Sequence, residues 1–226
     1  MPEWSGSINL LSYVSALSVM IPILVGARRF RVLTPELKPL GLLLLVAMLT
    51  EIGNAFFAFW EGDNLSILHY YTLIEFLLLS FIYFHAFESR AARYTIAVTV
   101  ALFIVFSGIG ASWLRSTYSL DSYMLVAEGL IFIVFSLAYL YKLFDDMSIF
   151  RLELYPMFWV NAGILFYFAG NLFLFAVSNY VLQQSVHGYY QSWSIHSVLN
   201  ILLNLLFAFS FLLLPRRGKP RWAYEV

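Results

Sequence analysis

The sequence predicts an all-helical integral membrane protein of seven transmembrane helices, with its N-terminus outside and its C-terminus cytoplasmic. Three observations predict it. The 226 residues are 62% hydrophobic and 12% charged, with a mean hydropathy of +0.80, and a soluble domain carries about twice that charge. Seven apolar stretches reach the roughly 20 residues that a helix needs to cross a bilayer core, and short punctuation rich in charge, Gly or Pro separates them. The basic residues gather in every second connection.

The first stretch, 8–26, follows a leader without a basic residue and precedes Ala27-Arg28-Arg29-Phe30-Arg31. An uncleaved first span with its N-terminus outside fits that order better than a signal peptide. Arg28, Arg29, Arg31 and Lys38 then lead into span two, 39–60, which ends on Trp60. Span three, 65–87, is followed by Arg90 and Arg93, and span four, 94–113, ends on Trp113. Span five, 122–144, carries Lys142 at its end, with Arg151 ahead of span six, 156–182. Span seven, 193–214, opens on Trp193 and runs into a basic tail, 215–226, with Arg216, Arg217, Lys219 and Arg221. Twelve of the thirteen basic residues thus share one side and Arg115 stands alone on the other, and positive loops face the cytoplasm. Trp4, Trp60, Trp113 and Trp193 mark outer span ends, with Trp159 and Trp222 at inner ones, where an indole buries its ring and keeps its N–H wet. The chain forms a single membrane domain, and the bilayer is its first partner.

Several function classes fall away at once. Thirteen acidic residues balance thirteen basic ones, so no global charge favours nucleic acid. Without cysteine there are no disulfides, thiolate metal sites or cysteine nucleophiles. A retinal Schiff base is disfavoured, because Lys38, Lys142 and Lys219 are the only lysines and none is placed on span seven.

A shift of 117 residues aligns Glu36-Leu37-x-Pro39 with Glu153-Leu154-x-Pro156, and Gly53-Asn54-x-Phe56 with Gly170-Asn171-x-Phe173. A further ten residues, absorbed by a longer loop at 183–192, bring His69 opposite His196. Spans two and three therefore echo spans six and seven, and a parallel three-plus-one-plus-three repeat is expected.

The polar residues inside the spans carry the functional reading. Glu51 and Asn54 lie nine and six residues below Trp60, and His69 and Glu75 four and ten below Leu65. Glu128 is six below Ser122, while His196, Asn200 and Asn204 are three, seven and eleven below Trp193. At 100° per residue, His196, Asn200 and Asn204 share an arc of about 80° and His69, Thr72 and Glu75 one of about 120°, with Tyr71 beside them. All fall in the outer half, which predicts one outward-facing polar pocket. An embedded ionisable group costs roughly 2.5–3.5 kcal/mol and marks function by default, whereas the asparagines are as readily explained as interhelical ties. His85 and His187 are expected at the inner interface and in an outer loop.

Three functions compete. The first is binding and movement of a small solute, with Asn54/Asn171 and His69/His196 flanking a pseudo-axis and Glu51, Glu75 or Glu128 exchanging protons. It is similar in logic to sugar transporters of the three-plus-one-plus-three type, without their proline-glutamine motifs. The second is a metal-dependent membrane hydrolase with His69, His196 and Glu75 as ligands around an activated water. Span number and the histidine on span seven resemble the ceramidase and progestin-receptor superfamily, but Asn200 stands where that family has a second histidine. The third is a sensory receptor acting through a separate cytoplasmic signalling partner. More closely, His69-x-Tyr71-Thr72-x-x-Glu75-Phe76, the segment from Phe158-Trp159 to Phe175, and Trp193-x-x-His196-Ser197-x-x-Asn200 resemble a family of uncharacterised bacterial seven-helix inner-membrane proteins. That resemblance implies the topology and a bacterial inner-membrane location, and no activity.

Overall fold

A computed structural model describes residues 4–59, 65–113, 119–145, 151–184 and 186–214. These residues form eight α-helices and two short 3-10 turns, with no strand among them: α1 (Trp4–Ser18), α2 (Met20–Arg29), α3 (Lys38–Phe59), α4 (Leu65–Ala86), α5 (Arg90–Trp113), α6 (Ser119–Asp145), α7 (Pro156–Gln184) and α8 (Val186–Leu213). Six segments among the described residues are long and apolar enough to cross a membrane: Leu10–Val32, Lys38–Phe56, Ile67–Ala86, Arg90–Gly108, Tyr123–Asp145 and Trp193–Leu213. The chain is a multi-pass membrane protein. α7 is not among the six. It carries Asn161 and Asn171, both fully buried, and packs between α6 and α8.

Two expectations are corrected. The first span is two helices that meet at Val19, because Pro22 cannot donate to the carbonyl four residues back and its ring crowds that turn; the residue four back is Ser18, where α1 ends. The outer loop expected at 183–192 is helical up to Gln184 and again from Val186. His187 therefore lies in the first turn of α8 rather than in a loop. The tail 215–226 with Trp222, together with Trp60 and Arg115, lies outside the described residues.

The helices are arranged as a ring. α3 packs on α4, α4 on α6, α6 on α7, α7 on α8, and α8 on both α1 and α2, while α2 returns to α3 and closes the circuit. α5 sits outside it against α4 and exposes Tyr94, Leu102 and Val105. Much of the core fills one half of the ring, the half nearest the basic connections. Leu37, Leu40, Ile82, Tyr83, Tyr139, Met157, Val160 and Phe211 are each at most 2% exposed there. An aromatic chain crosses the bundle, with centroid separations of 3.7 Å for Phe103–Phe76, 5.2 Å for Phe76–Phe132 and 5.1 Å for Phe132–Phe168.

Polar ties and small residues hold this half closed. The Tyr83 hydroxyl donates to Asn161 Oδ1 at 2.7 Å and lies 2.7 Å from Ser136 Oγ, while Asn161 Nδ2 donates to the Ser136 carbonyl at 3.1 Å. One buried network therefore joins α4, α6 and α7. A Cβ on Gly26 would come within 2.9 Å of the Phe211 ring, so α2 approaches α8 more closely than any larger residue allows. Gly163 does the same for α7, where a Cβ would lie 3.2 Å from Leu203 Cδ1. Between membrane helices such close approach supplies van der Waals attraction where no hydrophobic force acts.

Basic side chains at this end cap helix C-termini. Arg93 Nε donates to the Phe84 and Phe87 carbonyls at 3.1 and 2.7 Å, Lys142 Nζ donates to the Ala86 carbonyl at 2.9 Å, and Arg29 donates to the Leu214 carbonyl. The last carbonyls of a helix lack intrahelical partners and carry its negative dipole end, so cations are favoured there. Outside the spans, the Arg151 guanidinium donates to Glu153 at 2.9 Å and holds that carboxyl below its usual range. Trp159 Nε1 donates to the Glu153 carbonyl at 2.8 Å.

Gly26→Val is expected to destabilise the detergent-solubilised protein by ~1–3 kcal/mol through overpacking against Phe211. Gly41→Ala, where a Cβ meets nothing within 4 Å, should be neutral or stabilising by up to ~1 kcal/mol. Equal unfolding midpoints for the two variants would remove the close α2–α8 approach. Tyr83→Phe leaves Asn161 Oδ1 without its donor and should cost about 1–3 kcal/mol in the same measurement.

Candidate functional site

The other half of the ring encloses a cavity of about 500 Å³, within the roughly 300–1,000 Å³ typical of small-molecule sites. Six of the seven helices in the ring contribute to its wall, and α2 is the exception. The helices alternate in direction, and most of the polar lining comes from stretches remote from the basic connections, whereas Leu43, Leu44 and Ala47 of α3 and Leu203, Asn204 and Phe207 of α8 carry the wall past mid-span.

Of the residues singled out from the sequence, Glu51, Asn54, Tyr71, Thr72, Glu75, His196, Asn200 and Asn204 line this cavity together. Glu51 is exposed and Asn54 half-buried, whereas Thr72, Glu75 and Asn204 are buried. Tyr71 lies one turn before Glu75 on α4.

Three others are placed elsewhere. His69 turns to α5, with Nε2 3.2 Å from Ser107 Oγ. Asn171 stands behind the wall and orients His196. Its Nδ2 donates to the Tyr167 carbonyl at 2.8 Å, which directs Oδ1 to His196 Nδ1 at 2.9 Å. An amide oxygen can only accept, so Nδ1 of His196 carries a proton. Glu128 is fully buried on α6, and neither of its oxygens is hydrogen-bonded within the protein. It lies close enough to Glu75 for the two carboxyls to interact electrostatically.

The pseudo-symmetric pairs do different jobs. Asn54 faces the cavity while Asn171 supports a histidine, and His196 faces the cavity while His69 faces α5. The hydrolase ligand set is not assembled either: among the described residues no three His, Asp or Glu side chains converge as a metal site would require, and His69 and His196 are bonded toward different helices.

Sequence reasoning missed the contribution of α1. Ser12 and Ser15 line the cavity; Asn200 Nδ2 donates to Ser15 Oγ at 3.0 Å and Asn204 Nδ2 to Ser18 Oγ at 2.8 Å. Ser18 Oγ in turn donates to the Ser15 carbonyl at 2.6 Å. The signal was present in the spacing Ser12, Ser15, Ser18, three residues apart and on one side of a helix. Asn200 and Asn204 are thus both wall residues and interhelical ties. Tyr167, also unforeseen, and Trp193, read only as a span marker, complete the wall against His196, with ring centroids 5.8 and 5.2 Å from the imidazole.

Comparison with protein-family models, curated proteins and solved structures finds no match to this chain. The residues themselves define the class: a multi-pass helical membrane protein with a polar cavity enclosed by its own spans.

A double-mutant cycle of Ser18→Ala with Asn204→Leu should give a coupling of about 0.6 kcal/mol, the average for interhelical hydrogen bonds in membrane proteins. Additive unfolding energies would mean that this pair does not tie α1 to α8.

Proposed function

We propose that the protein binds a small polar solute in this cavity and moves it across a bacterial inner membrane. The observation that carries the reading is the cavity wall itself. Eight polar or ionisable side chains anticipated from the sequence meet there inside a bundle whose outer faces are apolar, and intramembrane polar groups are costly to retain without use. The division of the ring into an open half and a tightly packed half suits an outward-open transport state, with Gly26–Phe211 and the Tyr83–Ser136–Asn161 network closing the inner end.

The full topology belongs to the same proposal. α7, with 29 residues, spans about 43 Å at 1.5 Å per residue and serves as a seventh crossing. Asn161 and Asn171 are turned to Tyr83, Ser136 and His196 and away from lipid. Twelve of thirteen basic residues then face the cytoplasm, and the cavity opens to the opposite side.

The chain has no cysteine, which makes single-cysteine labelling unambiguous. Asn54→Cys should react with a membrane-impermeant maleimide in intact cells, and Ser89→Cys only after permeabilisation. Labelling of Ser89→Cys alone in intact cells would invert the orientation, and protection of Asn54→Cys under every condition would remove the open cavity.

A further inference from the structure

We infer that the solute is an organic cation with apolar substituents, of the quaternary ammonium type; this rests on the solute-binding reading above and names its ligand class. The cavity has two chemically distinct walls. On one side Glu51 from α3 and Glu75 from α4 present carboxyls, while Glu128 on α6 is wholly buried off the cavity wall with neither oxygen hydrogen-bonded within the protein. The wall therefore presents two acidic groups.

On the other side Tyr167, His196 and Trp193 form a contiguous aromatic surface, with the imidazole 5.8 Å from the Tyr167 ring and 5.2 Å from the indole between centroids. Aromatic faces attract ammonium groups through the ring quadrupole, most strongly where water is excluded. No lysine or arginine occurs among the described residues lining the cavity. All those among the described residues belong to the connections and helix ends at the opposite end of the bundle. Low-dielectric surroundings penalise an unpaired carboxylate, and a bound cation would offset that penalty. A positive charge is complementary to the acidic side, and methyl or methylene groups around it are complementary to the aromatic side. An inorganic cation would use the first wall and leave the second without a role, and an anion would meet like charge.

The test compares three probes of matched shape on the full-length protein purified in detergent: choline, its neutral isostere 3,3-dimethylbutanol and the anion 3,3-dimethylbutanoate. Equilibrium dialysis should show saturable choline binding, with both other probes weaker by about tenfold or more. Glu75→Gln should reduce choline affinity by a similar factor. Glu51→Gln, a near-isosteric change at an exposed position, should do so as well and narrow the gap to the anion. Equal binding of choline and 3,3-dimethylbutanol, or preference for the anion, would overturn the cation assignment while leaving a solute cavity in place. Failure of all three probes to bind would overturn the assignment together with the reading on which it rests.

Discussion

Hydrocarbon offers nothing to hydrogen-bond with, and that constraint organises this molecule at every level. It makes all the described secondary structure helical. It also decides where the side chains that break the apolar pattern go. Asn161 reaches Tyr83 and Ser136, Asn171 reaches His196 and a carbonyl of its own helix, and Asn200 and Asn204 reach serines on α1. Even the helix ends obey it, since Arg29, Arg93 and Lys142 donate to terminal carbonyls that would otherwise lack partners. The basic residues that orient the chain in the bilayer are thus also structural caps, so orientation and helix termination depend on the same side chains.

Against that background the carboxyls stand out. The asparagines are tied into the fold. Glu128 is not, and Glu51 and Glu75 face an internal space rather than a cationic partner. A bundle of this kind could be held by amide and hydroxyl ties alone, as its inner half demonstrates. There small residues bring helices together at Gly26 and Gly163, and aromatic rings fill the remainder. The two halves use the same helices and differ only in what these carry along their length. The spans of the ring pack tightly at their basic ends and carry most of the cavity's polar residues towards the other.

The helices themselves were legible because hydropathy and bilayer thickness constrain them from two directions. Spans expected at 65–87 and 122–144 correspond to helices at Leu65–Ala86 and Ser119–Asp145. The departures have separate causes. Pro22 interrupts the first span without lowering its apolar character, so a reading by hydropathy passes over it. The segment 183–192 is polar enough to resemble a loop, but a helix can continue past the hydrocarbon boundary, where its side chains meet water and headgroups.

The candidate site was legible to the extent that depth and helical phase predict neighbours. Depth placed eight polar residues at one level, and six of them share one cavity, while His69 and Glu128 do not line it. Phase says which residues of one helix point together, but not which helix they point at, and His69 illustrates the gap. It lies on the same expected stripe as Thr72 and Glu75, yet it reaches Ser107 on α5, the helix that the ring leaves outside. The matched positions of the internal similarity also differ in their packing. Gly170 is pressed against Leu199, where a Cβ would come within 2.6 Å, while the matched Gly53 has only Ile67 at 3.8 Å. Matching residues therefore occupy one close interface and one open one. The same difference separates the aromatic wall on α7 and α8 from the acidic wall on α3 and α4. Whatever common pattern the two hairpins carry, it is their divergence in packing that gives the cavity two unlike sides, and a cavity with unlike sides can select a ligand by both its charge and its apolar surface.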